Sequence, residues 1–389
     1  MAQRQTNSGS EPQNSKTTNA ADCPDCASGF PAFLQRDFFS RREFLAAAGA
    51  TAAAVSVMAL PSVIVRAAEN GDTAAAAAKP AAAALSGSDK AAPETLVKKL
   101  YDSLQPEQKK LIAFDWDYVD PKRGLLRTRV SNNWNITDKM IATDFYTKDQ
   151  QEIVRGIYEG LFHPDWIPKI DKQLKDDGQG YGKSQSIALF GKPGDGKFEM
   201  VMTGRHMTVR VDGNSTEDMA FGGPIFHGHA ATGFNEEADH PGNVFWPQAL
   251  AANKIYEMLD GKQRKAALQP RLPAEAAVDF HGEKGQFPGI PVPQLSHDQR
   301  AELEKTLSLM LSPYRNTDHD KVISCLNKQG GIEKCSLAFY QAGDIGDDGV
   351  WDNWRLEGPS FVWYFRGSPH VHLWINIGDD ASVKTNAQG

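Results

Sequence analysis

Residues Gly358–Asp379 read GPSFVWYFRGSPHVHLWINIGD. Within them, Val371, Leu373, Ile375 and Ile377 alternate with His370, His372, Trp374 and Asn376. Strict period-two alternation predicts a β-strand with one apolar and one polar face. Successive side chains of a strand point to opposite faces, so His370 and His372 share one, a single pleat apart. Two imidazoles fixed side by side on a strand form half of a metal site, and histidine is the commonest metal ligand.

A second run, Phe198–Val211 (FEMVMTGRHMTVRV), reads as one long strand with His206, Thr208 and Arg210 on its polar face. Lys192-Pro193-Gly194-Asp195-Gly196 before it is turn chemistry. Like Trp354–Ile377, the run carries a glycine and then a histidine. This echo reads better as two hairpins obeying one alternation than as an internal duplication. Helices are expected behind the capping boxes Thr147-Lys148-Asp149-Gln150 and Ser296-His297-Asp298-Gln299, over Trp246–Leu259, and over about 318–326. The sum is an α+β fold: a central, largely antiparallel sheet flanked by helices.

The chain has 389 residues, 23% of them charged, and a net charge of −7. No basic stripe with interleaved aromatics is present, so nucleic acid is not the expected partner. Ser40-Arg41-Arg42-Glu43-Phe44-Leu45 and the Ala-rich run to Leu60 have the form of a twin-arginine export signal rather than a permanent membrane span. Residues 1–68 are thus expected as leader and signal peptide, 69–93 as a flexible linker, 94–379 as one α+β domain and 380–389 as a disordered tail. The expected location is periplasmic or otherwise exported, with the twin-arginine export machinery as a partner. Cys23 and Cys26 would leave with the leader. Cys325 and Cys335 are then the only mature cysteines, and an oxidising compartment favours a disulfide between them.

His206, His370 and His372 are the expected metal ligands for copper, iron or zinc, with His229 as a fourth and His227 as its alternative. Arg205 or Arg210 is placed to hold a substrate carboxylate, and Glu357 to act as general base or as partner to an imidazole. Nucleophile-elbow, dinucleotide and phosphate-loop motifs are absent. The expected function is an exported metal-dependent oxidoreductase or hydrolase acting on a small molecule. A periplasmic metal- or ligand-binding protein and a structural envelope protein are the alternatives.

Four landmarks resemble exported bacterial proteins of the family called domain of unknown function 3500. They are Gly204–Val209, Gly222–Phe226, Arg355–Pro359 and Pro369–Trp374. Pro369 stands where that family shows Asn, and Trp374 falls one place early. The resemblance implies no reaction; it implies His206, His370 and His372 as site residues.

Overall fold

The computed structural model describes residues 91–213, 219–231, 237–346 and 348–388. The leader, the twin-arginine segment, Cys23, Cys26 and the linker up to residue 90 lie outside the described residues. Helices α1 (Pro93–Ser103) and α2 (Pro106–Ile112) lead into β1 (Ala113–Phe114). An irregular stretch carries β2 (Val119–Asp120), β3 (Gly124–Leu125) and β4 (Arg129–Val130). Helices α3 (Lys148–Glu159) and α4 (Ile167–Gly178) precede β5 (Gln185–Gly191), β6 (Phe198–Gly204), β7 (Met207–Asp212) and β8 (Ile225–His229). Next come α5 (Trp246–Met258), α6 (Gly261–Ala267), β9 (Leu268–Gln269) and β10 (Ile290–Pro291). Helices α7 (His297–Leu311) and α8 (Asn316–Lys328) precede β11 (Ser336–Tyr340), β12 (Asn353–Gly358), β13 (Phe361–Arg366), β14 (Val371–Ile377) and β15 (Asn386–Ala387).

The main sheet runs β1-β5-β6-β7-β8-β14-β13-β12-β11-β10, with β9 also paired to β11. Strands β5 to β8 form one antiparallel meander and β11 to β14 another. The two meet where β8 and β14 pair antiparallel. The fold is α+β, as expected.

The element order of the first half recurs in the second. β1 adds parallel to β5, and β9 adds parallel to β11. Thr147 opens α3 and Ser296 opens α7 with the same reciprocal capping box. Gln179-Gly180 and Gln329-Gly330 leave α4 and α8, each pair shortly before Ser186-Ile187-Ala188 or Ser336-Leu337-Ala338. Gly228 N–H donates to His206 O at 2.9 Å, and Gly378 N–H donates to Ser360 O at 2.8 Å. These matches make the second half a structural repeat of the first. The echo seen in sequence had aligned the wrong segments. Gly204 corresponds to Gly358, and His206 to Ser360.

Strand β14 is buried on both faces, not one. Its apolar face joins the large helix-covered core with Leu307, Trp363 and Phe365. On the other face Trp374 packs with Phe226, Tyr364, Val130 and Val278, beneath the irregular segment that also contributes Leu272 and Phe280. In the first half, Leu126 and Ile136 cover Ala188, Phe190 and Val201 in the same manner. Trp354, Trp363 and Trp374 are fully buried; truncating any one to Ala should cost about 3–5 kcal/mol.

Three further expectations are corrected. Phe198–Val211 is not one strand, because it reverses at Arg205-His206, where His206 takes a left-handed φ of 51°. The expected tail is not loose throughout, since Asn386–Ala387 pairs parallel with β4. Cys325 and Cys335 are buried free thiols. Cys325 sits on α8, while Cys335 Sγ accepts a contact from Gln329 Nε2 at 3.5 Å. A short helical turn over Ile332–Lys334 intervenes between them. Alkylation of denatured, unreduced protein should therefore label both Cys325 and Cys335. A peptide pair linked through them would contradict this arrangement.

Candidate metal centre

His206, His370 and His372 come together at one end of the β8–β14 seam. His206 arrives on the two-residue turn between β6 and β7. His370 immediately precedes β14, and His372 is its second residue. Their exposures are 2%, 1% and 1%. His370 Nε2 lies 2.8 Å from His372 Nε2, which lies 3.2 Å from His206 Nε2. Among the described residues this is the group of three whose ligand atoms all fall within 4.8 Å of one another.

The opposite ring nitrogens are held by carboxylates. His206 Nδ1 donates to Asp177 Oδ2 at 2.6 Å. Asp177 Oδ1 accepts from Ala230 N at 3.1 Å and from Arg205 Nε at 3.0 Å. His372 Nδ1 donates to Glu275 Oε1, which also accepts from Trp374 Nε1 at 3.3 Å. Glu275 in turn pairs with Arg366. Arg366 Nη2 stands 2.6 Å from the same His372 Nδ1, a contact that calls for the other tautomer. With the proton on Nδ1, both carboxylates leave an Nε2 lone pair pointing inward. That is the pattern of imidazoles oriented for a metal. Two nitrogens at 2.0–2.1 Å from one tetrahedral ion stand about 3.3 Å apart. The His206–His372 separation matches this, and the His370–His372 pair would open by about half an ångström. The donor set fits a borderline divalent transition ion.

Burial, reinforced by Arg366, His370 and His206, holds His372 well below the usual imidazole range, so it is neutral and able to ligate. Burial alone would push the Asp177 carboxyl up. His206, Arg205 and His229 outweigh it and hold the group ionised, well below the usual carboxylate range.

The other sequence candidates fall elsewhere. His229 pairs with Val371 and His372 with Gly228. Residues directly opposite share a face, so His229 and His372 lie on opposite faces. His229 instead contacts His240. His227 is opposite Leu373 and shares the helix-covered face, stacked on Phe245 with ring centroids 4.8 Å apart. Glu357 shares the face of His372 but lies four residues along β12 from Asn353, whose row leads through Arg366 to His372. That offset is about 13 Å at strand rise. Glu357 is paired with Arg355 at 2.8 Å, and burial raises its pKa. Arg210 is buried, with donors on Glu199, Pro224 O, Arg127 O and Arg129 O, and it pins the irregular stretch to the sheet. Arg205 alone stands at the centre, as the support of Asp177. It also lines a cleft of about 240 Å³ with Asn133, Trp134 and Lys183, and Asn133 Oδ1 accepts from His206 N at 3.3 Å. Asp177, Glu275 and Trp374 were not read as site residues. Asp177 sits in the last turn of α4, and Glu275 in a proline-rich stretch without periodicity. Only Trp374, on the polar face one pleat beyond His372, carried a local signal.

The fold and this cluster define an α+β protein with a buried three-histidine centre backed by carboxylates. The chain belongs to the family described as "Protein of unknown function (DUF3500)", whose match spans residues 87–374. No curated protein and no solved structure matches it. Among the described residues no helix is long and apolar enough to cross a membrane.

Two outcomes follow from this geometry. Asp177→Asn keeps the shape of the side chain and removes the charge that orients His206; metal affinity should fall about 10–100-fold with the fold intact, read by zinc competition titration. His227 is pushed down by burial from 6.5 to about 3. Its neutral form therefore stabilises the fold fully above about pH 6.5. That stability is lost as pH falls towards 3, because the unfolded chain takes up the proton first. His227→Leu should flatten the dependence of the urea midpoint on pH over this window. An unchanged slope would contradict the assignment.

Proposed function

We propose that the protein is an exported, metal-dependent enzyme of the oxidoreductase or hydrolase class. Its divalent transition metal (copper, iron or zinc) is carried by Nε2 of His206, His370 and His372. The observation that carries this reading is the convergence of three buried imidazole nitrogens, with the far ring nitrogens of His206 and His372 held by the carboxylates of Asp177 and Glu275. Three nitrogens facing one another without an ion or shared protons would set lone pair against lone pair. A bound ion removes that repulsion. When bound, it supplies Lewis acidity or a redox couple. Asp177 and Glu275 keep the Nδ1 protons and fix the ring planes. Phe226, whose ring lies edge-on to His372 at 5.2 Å, and Trp374 exclude water from one side. The cleft beside Arg205 offers a cationic wall for a small-molecule substrate.

A non-catalytic metal-binding protein, or a structural envelope protein, is the second reading. The observation favouring it is the near-complete burial of all three imidazoles, which suits retention of an ion better than turnover. Export by the twin-arginine machinery rests on Ser40–Leu45.

The test is bound metal per chain in protein made with its signal and purified without an affinity tag. His206→Ala, His370→Ala and His372→Ala should each lose the tightly held ion and any activity. His297→Ala and His319→Ala should keep both. Full occupancy in His372→Ala would refute the proposal, as would a wild type that takes up no metal. A wild type that holds the ion but acts on no substrate would move the assignment to the second reading.

A further inference from the structure

Arg205 faces two ways. Its Nε donates to Asp177 O and to Asp177 Oδ1, each at 3.0 Å, beside the three-histidine centre. Its side chain is also 18% exposed, against 3% for Asp177, and lines the cleft of about 240 Å³. Lys183 and Trp134 line the same cleft, and Lys183 is exposed. Trp134 Nε1 donates to Thr208 Oγ1 at 3.0 Å, which fixes the indole ring as a wall. No aspartate or glutamate lines this cleft. The two larger clefts that share Phe114 differ, since Asp138 lines one and Asp115 and Asp195 line the other. Gly178, the last residue of α4, is part of the lining and has no left-handed φ. A Cβ there would lie 3.0 Å from Ser184 Oγ and 4.0 Å from Arg205 Cδ, so its missing side chain leaves space beside Arg205.

The charge of the centre favours the same kind of ligand. Asp177 pairs with Arg205, and Glu275 with Arg366. Each carboxylate behind the imidazoles is thus offset by a guanidinium group. An ion carried on imidazoles adds its own positive charge, and these carboxylates are already balanced. A largely buried positive charge of this kind attracts an anion more strongly than it would in water.

Resting on the metal-dependent enzyme reading above, we propose that this cleft recognises the carboxylate of the substrate, and that the substrate is a small organic acid. Arg205 and Lys183 supply the positive charge, and Trp134 covers the organic body. A cleft of about 240 Å³ is smaller than those that hold drug-sized ligands. The acid is therefore small, or only its charged end enters. The indole wall favours an organic acid over a bare inorganic anion, which has no apolar surface to bury.

Isothermal titration calorimetry of the full, untagged chain, with one equivalent of zinc added, tests this. The probes are benzoate and butyrate, with benzamide and butyramide as neutral matches and inorganic phosphate as a bare anion. At least one acid should bind about tenfold more tightly than its amide and more tightly than phosphate. Lys183→Gln should weaken that binding about tenfold while bound zinc stays at the wild-type level. Trp134→Ala should weaken it too, and circular dichroism checks the fold of both variants. Undiminished binding in Lys183→Gln would place the acid on the zinc rather than in the cleft and overturn the proposal. An amide or phosphate that binds as tightly as the acids would also overturn it. A chain that holds zinc but binds neither acid would overturn the cleft assignment and leave the metal reading standing. A chain that takes up no zinc, yet binds an acid through Lys183, would refute the metal reading and leave the cleft as a carboxylate site.

Discussion

The antiparallel pairing of β8 with β14 is the contact on which the rest depends. It joins two copies of one meander edge to edge, so each copy covers an open edge of the other. An open edge is a liability that invites pairing with other chains. Here the last strand of each repeat is consumed by its counterpart. The pairing also fixes register. His229 sits opposite Val371 and Gly228 opposite His372, and this parity decides which histidines can meet. A slip of one residue would exchange the two faces and bring His229, rather than Gly228, opposite His372.

The two halves differ where it matters for the three-histidine centre found among the described residues. At the opposite end of the seam, Ser360 stands where the first repeat has His206. Its N–H and hydroxyl donate to Gln329 Oε1, and its hydroxyl also contacts Gly378 O. That end is closed by neutral hydrogen bonds, the other by imidazoles and carboxylates. The centre draws His206 and Asp177 from the first repeat, and His370, His372 and Glu275 from the second. Neither repeat holds a complete set. An ion there would therefore tie the repeats together as well as serve any chemistry, and its binding energy would add to the stability of the seam.

Much of this was legible in the sequence, and the limits have physical causes. Alternation in Val371–Ile377 is a local property of a strand, so the shared face of His370 and His372 could be read directly. The capping boxes at Thr147 and Ser296 are local too. His206 was correctly chosen but wrongly placed: Gly204-Arg205-His206-Met207 preserves alternation through a two-residue turn, so periodicity does not reveal the reversal. The role of His229 turned on cross-strand register, which no single strand encodes. Asp177 and Glu275 reach their imidazoles across 29 and 97 positions of chain, and acidic residues in a helix end or an irregular segment have no distinguishing pattern. The structural repeat was hidden because its halves agree mainly at caps and helix exits, while packing positions tolerate exchange of one apolar residue for another. The disulfide expectation rested on compartment and count alone, neither of which encodes the positions of Cys325 on α8 and of Cys335 after the Ile332–Lys334 turn.

The central claim is that three imidazoles from the two repeats hold one ion. X-ray absorption of protein carrying a single equivalent of zinc reads the ligand shell itself. The account predicts about three nitrogen scatterers at 2.0–2.1 Å, with the outer-ring scattering of imidazole. An oxygen-only shell, or a shell with one imidazole or none, would contradict it.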